Sequence, residues 1–217
     1  MMDAALTEIH RIQRSFRAVM DAMARPGRPG AMPQVEGGQT RYPGVRGPLA
    51  TLIDMLVDQA TTFSLAQGCD DELADAVAAE THAKRVLPDE AAFVIVPERA
   101  DAPCVEMAIA HAAAGSLVSP EEGATVLIGC ERIETWDGFA EQAKENAGMH
   151  WVSVEGPGVK ESHVFGIDRI DWAWARNRRE DEFPCGIDIV LADARGNVVA
   201  IPRTSFVSLL AVGKGAN

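Results

Sequence analysis

Residues 183–204 read FPCGIDIVLADARGNVVAIPRT. Two apolar runs, 187–191 and 198–201, flank the short Asp-Ala-Arg-Gly-Asn connection at 193–197. A brief glycine-containing loop between two such runs is the signature of a β-hairpin. The second run ends in Pro202-Arg203-Thr204-Ser205, so a guanidinium and two hydroxyls gather just past a strand end. Asp188 sits in the first strand beside Ile187, Ile189, Val190 and Leu191. A carboxylate in that company must be solvated, paired or hydrogen-bonded, because unpaired burial costs about several kcal/mol. Arg203, at the end of the partner strand, is its natural partner. Three roles stay open for Asp188: a structural ion pair, an exposed strand face, or a ligand contact.

Upstream of the hairpin, strands and helices alternate. Apolar residues at Leu6, Ile9, Ile12, Phe16, Val19, Met20 and Met23 recur in steps of three and four, which predicts one apolar face of a helix over about 6–24. Arg11, Arg14 and Arg17 form a stripe beside it. Arg25-Pro-Gly-Arg-Pro-Gly30 stops that helix, and 31–47 reads as an irregular loop. Further helices are expected at 48–58, at 71–80 with Asp70 as N-cap, at 103–114 with Gly115 as C-cap, and at 168–179 with Ile170 and Trp174 on one side. Strands are expected at 61–66, 92–96, 124–130, 149–155 and 162–166. The early alternation followed by antiparallel signals predicts an α/β fold, a mixed sheet flanked by helices, in a single domain over 1–217.

Composition narrows the function classes. The 217 residues are 47% hydrophobic and 24% charged, with a net charge of −12. Residues 1–50 carry seven Arg against four acids, so the head is basic and the remainder strongly acidic. An acidic body argues against a nonspecific nucleic-acid surface. The basic head reads either as a solvated helix face or as a dock for an acidic partner or an anion. No apolar run approaches the ~20 residues of a membrane span, and the N-terminus lacks a secretory core. A cytoplasmic protein is expected.

The four cysteines, Cys69, Cys104, Cys130 and Cys185, are scattered without a Cys-x-x-Cys pair and read as buried apolar residues. His10, His82, His111, His150 and His163 show no metal-ligand spacing, and no Gly-x-Ser-x-Gly elbow is present. Gly156-Pro-Gly158 lacks the Gly-Lys-[Ser/Thr] ending of a phosphate loop and reads as a turn.

Four segments then fall into a recognisable order. They are Ser15-Phe-Arg-Ala-Val-Met-Asp-Ala-Met-Ala-Arg-Pro-Gly27, Pro120-Glu-Glu-Gly-Ala-Thr125, Val154-Glu-Gly-Pro-Gly-Val159, and FPCGID…IPRT at 183–204. Together they resemble the PhnH family, a component of the carbon–phosphorus lyase machinery for phosphonate use. Ser205 stands where the family often has a second threonine, which keeps a hydroxyl in place.

The resemblance implies a fold similar to that of pyridoxal-phosphate-dependent transferases, without the cofactor. The four lysines, Lys84, Lys144, Lys160 and Lys214, match no Schiff-base motif. It also implies a homodimer that joins subunits G, I and J, and with G, I and L supports a synthase step. In that step a phosphonate displaces adenine from ATP, giving a ribose 1-phosphonate 5-triphosphate. The radical cleavage belongs to the J component; the cysteines here form no cluster-binding pattern. The expected role is therefore a non-catalytic or assisting subunit without cofactor or metal. Its rivals are a stand-alone small-anion transferase and a vestigial transferase scaffold acting as a binding module. Arg203, Thr204 and Asp188 are the expected ligand contacts, and Arg25, Pro26 and Gly27 a fixed turn at a subunit contact.

Overall fold

The structure is a computed structural model that describes residues 2–34, 41–66, 71–136 and 148–210, with side chains from residue 8 onward. The helices are α1 (Met2–Ala24), α2 (Gly47–Leu56), α3 (Asp71–Thr81), α4 (Ala102–His111) and α5 (Asp171–Asn177). The strands are β1 (Gly30–Ala31), β2 (Thr62–Leu65), β3 (Lys84–Arg85), β4 (Phe93–Val96), β5 (Thr125–Cys130), β6 (Ile133–Thr135), β7 (His150–Glu155), β8 (His163–Ile167), β9 (Asp188–Asp193), β10 (Asn197–Ile201) and β11 (Phe206–Leu210).

The fold is α/β with a mixed sheet flanked by helices. Among the described residues the main sheet runs β1-β10-β9-β5-β4-β2-β3. β3, β2, β4, β5 and β9 are parallel to one another, whereas β10 and β1 join antiparallel. The hairpin read from 183–204 is β9–β10. Its register pairs Ile189 with Ile201, and Gly196 closes the turn at φ +91°, donating its N–H to the Asp193 carbonyl. A second, antiparallel sheet runs β11-β7-β8-β6.

Alternation along the central strands explains why they read as unbroken apolar runs. Val94, Val126, Ile189, Leu191 and Val199 face a layer made by α4, α5 and the second sheet, where they meet Val105, Ile109, Trp172, Val152 and Phe165. Ile95, Leu127, Val190, Val198 and Ala200 face α1, α2 and α3 through Val19, Leu49, Ile53 and Leu73. A strand covered on both faces needs apolar residues at every position.

Three expectations need correction. First, α4 ends at His111 instead of 114, because Arg179 donates to the carbonyls of Ile109, Ala110 and Ala112 and so closes the helix end. Ala113 and Ala114 turn extended and bond to Ala124 and Gly186, and Asp101 caps the other end through the Cys104 N–H. Second, α5 covers only residues 171–177. The Asp168 carboxylate accepts the amides of Glu131 and Arg132, which holds 168–170 outside the helix. Ile170 is buried there while Trp174 is half exposed, so the two do not share a face. Third, the apolar residues of α1 split between two faces. Ser15, Val19 and Ala22 are buried, whereas Ile9, Phe16 and Met20 are 53, 47 and 54% exposed. Asp70 and Cys69 lie outside the described residues.

Candidate functional site: an arginine network beside the hairpin

Asp188 is the first residue of β9, and Arg203 follows the end of β10 by two positions. The hairpin register therefore brings them together. The Asp188 carboxylate accepts the Arg203 N–H at 2.7 Å and its Nε and Nη2 at 3.2 and 2.6 Å. Both side chains are only about one-sixth exposed. Arg203 also donates to the carbonyls of Pro120 and Gly123. Gly123 is required at that spot, because a Cβ there would lie 2.4 Å from the Gly186 oxygen and 2.6 Å from Arg203 Nη1. Of the three roles open to Asp188, the ion pair is the one observed.

Arg203, Asp188 and Thr204 thus gather at one place, with Arg203 spent on a carboxylate and two carbonyls. Thr204 is partly exposed, and its carbonyl lies where a Cβ at Gly156 would come within 3.0 Å. Arg25, Pro26 and Gly27 lie elsewhere. Pro26 and Gly27 are buried, the Gly27 N–H donates to the Ala200 carbonyl, and His163 Nδ1 donates to the Pro26 carbonyl at 2.7 Å. Arg25 is exposed and pairs with Asp21 within α1. The turn fastens the end of α1 to β8 and β10.

The structure adds residues that motif reading did not nominate. Beside Arg203 lies a groove of about 240 Å³, lined by Arg176, Asn177, Arg179, Asp181, Ser205 and Phe206 among others. Arg179 forms a two-pronged pair with Asp181, through Nε at 2.5 Å and Nη2 at 3.1 Å. Arg176 is different. Its Nη2 donates only to the backbone carbonyls of Pro202, Arg203 and Ser205, and its Nε has no partner among the described residues. Burial lowers the Arg176 pKa from the usual guanidinium value, opposed by the nearby charges of Asp188 and Asp181. Ser205 Oγ, also buried, likewise lacks a hydrogen bond among the described residues. The available signal was the charged run Arg176-Asn-Arg-Arg-Glu-Asp-Glu182 that opens directly onto the hairpin. Two wider depressions lie near α4, one of them lined by Glu106 and Arg178, which pair with each other at 2.8 Å.

A second network sits at the carboxyl ends of β4 and β5, the edge where open parallel sheets bind ligands. Arg169 pairs with Asp171 at 2.6 Å and donates to the carbonyls of Glu98, Gly129 and Ala100. Glu98 Oε1 accepts the Arg46 N–H, and its buried Oε2 has no partner among the described residues. Burial raises the pKa of Glu98 above the ordinary carboxylate value. Among the described residues, no group of three His, Cys, Asp or Glu is arranged to hold a metal ion.

The quoted sequence segments meet in space. Residues 120–123 lie under Arg203, and Gly156 backs onto Thr204 and Ser205. A Cβ at Gly27 would fall 2.6 Å from Val154 Cβ, and one at Gly158 would fall 2.6 Å from the Ala24 oxygen. These contacts bring the four segments together in the fold. The family described as "Bacterial phosphonate metabolism protein (PhnH)" matches residues 4–208. The chain belongs to the PhnH family. A relative from Stutzerimonas stutzeri, named "Putative C-P lyase subunit protein HtxG", is 30% identical over 210 residues, covering 95% of this chain and 89% of its own. Membership of the PhnH family places the chain in phosphonate metabolism.

Proposed function

We propose that this chain is an assisting, non-catalytic subunit of the carbon–phosphorus lyase assembly. In this reading it works in the cytoplasm as a homodimer alongside subunits G, I and J. With G, I and L it supports the synthase that exchanges the adenine of ATP for an alkylphosphonate. Its scaffold follows the pyridoxal-phosphate transferase pattern in one domain and uses no cofactor. The relative's name, a lyase subunit, supports an assembly role.

One observation carries the proposal. The outer face of α1 presents Ile9, Phe16 and Met20, spaced by seven and four residues and each about half exposed. Arg17 borders this stripe, one turn on from Arg14, and neither has an ion-pair partner among the described residues. Arg11, in contrast, is used internally, bonding Glu8 and Thr51 Oγ1. An apolar stripe bordered by an uncommitted cation suits another subunit that offers an apolar groove with an acidic rim. Arg25, at the end of the same helix, is the notch from which that contact would continue.

Capture tests this. The tagged chain, co-expressed with subunits G, I, J and L, should retain G and I through purification, and adenine release from ATP and methylphosphonate should require this chain together with them. If the chain is recovered without companions, or the other subunits release adenine equally well in its absence, the assisting role fails. Adenine release by the isolated chain would favour the stand-alone transferase instead.

A further inference from the structure

Among the described residues, charge balance around the groove at the hairpin leaves one cation unmatched. Arg11, Arg169, Arg179 and Arg203, the other arginines with little side-chain exposure in an ion pair, each have a carboxylate within 3.0 Å. Arg176 has none, although burial makes its charge costly. Its Nη2 is held by backbone carbonyls, and neither Nη1 nor Nε bonds any described residue. Ser205, 4% exposed, is part of the wall of the same groove, and its buried hydroxyl has no hydrogen-bond partner among the described residues. Asp181 and Asp188 are the acids beside it, and Arg179 and Arg203 already neutralise them. A buried polar group in a native fold normally finds a partner, so two unmet donors beside an unmatched charge describe an anion's place.

We propose that this groove binds a small tetrahedral oxyanion of the phosphonate or phosphate class, with Arg176 as its charge partner and Ser205 as a hydroxyl donor. The volume of about 240 Å³ is below the roughly 300–1,000 Å³ of drug-sized ligand pockets, so the groove takes a headgroup with a short substituent or the end of a longer phosphate chain. Guanidinium suits phosphoryl oxygens through several directed N–H groups. With a net charge of −12, the molecule as a whole repels small anions, so binding needs a built positive spot of this kind. Phe206, 75% exposed at the rim, gives an alkyl substituent an apolar surface. The choice of phosphonate among small anions rests on the complex-subunit reading; the anion site itself does not.

Calorimetry on the purified chain tests the site apart from any assembly, with methylphosphonate, inorganic phosphate, ATP and acetate as probes. Saturable binding of methylphosphonate or phosphate, with acetate weaker, is expected. Arg176→Gln should weaken it about tenfold or more, the loss of one charge-assisted hydrogen bond. Ser205→Ala removes a hydroxyl without a protein partner, so it should weaken binding about threefold with an unchanged melting temperature. Arg178→Gln, outside the groove, should change nothing. ATP displacing methylphosphonate would make a nucleotide's phosphate the source of the oxyanion, and no displacement would make it free phosphonate. The proposal is overturned if the wild type binds none of the phosphorus oxyanions, if acetate binds as well, or if Arg178→Gln costs as much as Arg176→Gln. Should Arg176→Gln fail to fold, unaltered binding in Ser205→Ala overturns it alone. Failure to capture sister subunits would leave this measurement untouched.

Discussion

At the scale of single residues, position relative to water decides what each charge does. Asp188 and Arg203 were legible as a pair because a carboxylate in an apolar strand and a guanidinium at the end of the next strand can hardly avoid each other. Removing one partner should be costly. Arg203→Ala strands a mostly buried carboxylate and two carbonyls, so a loss of about 3 kcal/mol is expected. For a chain of this size that corresponds to a melting temperature about 10 °C lower, measurable by calorimetry. An unchanged melting temperature would show that the pair contributes nothing to the fold. Arg176 was not legible, since nothing in Arg176-Asn-Arg-Arg179 distinguishes the guanidinium left without a carboxylate from those that find one. Glu98 was equally hidden, because its burial depends on the strand ends around it. Its raised pKa means that the folded state holds the proton more tightly than the unfolded state. Stability from this group is present below the ordinary carboxylate pKa and is lost as pH rises through the folded value. Glu98→Gln removes that dependence. The melting temperature of the variant relative to wild type should therefore climb as pH goes from about 4 to about 7. A pH-independent difference would contradict the burial argument.

At the scale of elements, structure is legible in the sequence where one pattern has one physical cause. The hairpin, the parallel strands and α2 followed from apolar runs broken by turn residues, because both faces of the central sheet are covered. Helix ends that distant side chains determine are not legible in the sequence: Arg179 closes α4, and Asp168 delays the start of α5. Helix periodicity also cannot separate an inward apolar face from an outward one, so the α1 residues read in the sequence as a single stripe. The turn after α1 shows how an element is fixed by its neighbour. Gly27 has φ +75°, and a Cβ there would lie 2.6 Å from Val154 Cβ. Gly27→Ala combines left-handed backbone strain of about 1–2 kcal/mol with a clash against β7. A loss of about 3 kcal/mol is expected from chemical denaturation. Amide exchange should also quicken along α1 and β10, which the turn joins. Exchange that stays slow there would mean that the turn does not anchor the helix.

For the whole molecule, the question is why a helix with a row of three arginines and an exposed apolar stripe sits on an acidic body. The core is satisfied without the outer face of α1: Val19 and Ala22 pack inward, and Arg11 ties the helix to Thr51. Ile9, Phe16 and Met20 therefore do no packing that the isolated chain requires, and keeping them apolar on a water-facing surface invites association. The motif segments that carry the family resemblance are contact points of the fold. The exposed stripe was not legible in the sequence, because only the structure separates it from the buried one. Phe16→Glu tests the distinction between folding and assembly. The variant should keep the wild-type melting temperature within about 1 °C, as expected for a surface position. In co-expression it should lose most capture of subunits G and I, since a carboxylate would enter both the apolar contact and its acidic rim. Arg14→Gln with Arg17→Gln should mainly slow association and flatten its dependence on salt, because exposed charges steer encounter more than they hold the complex. If Phe16→Glu unfolds the chain, α1 is needed by the core after all. If it folds and is captured normally, the partner binds elsewhere, and an exposed apolar helix face would be left without an occupant.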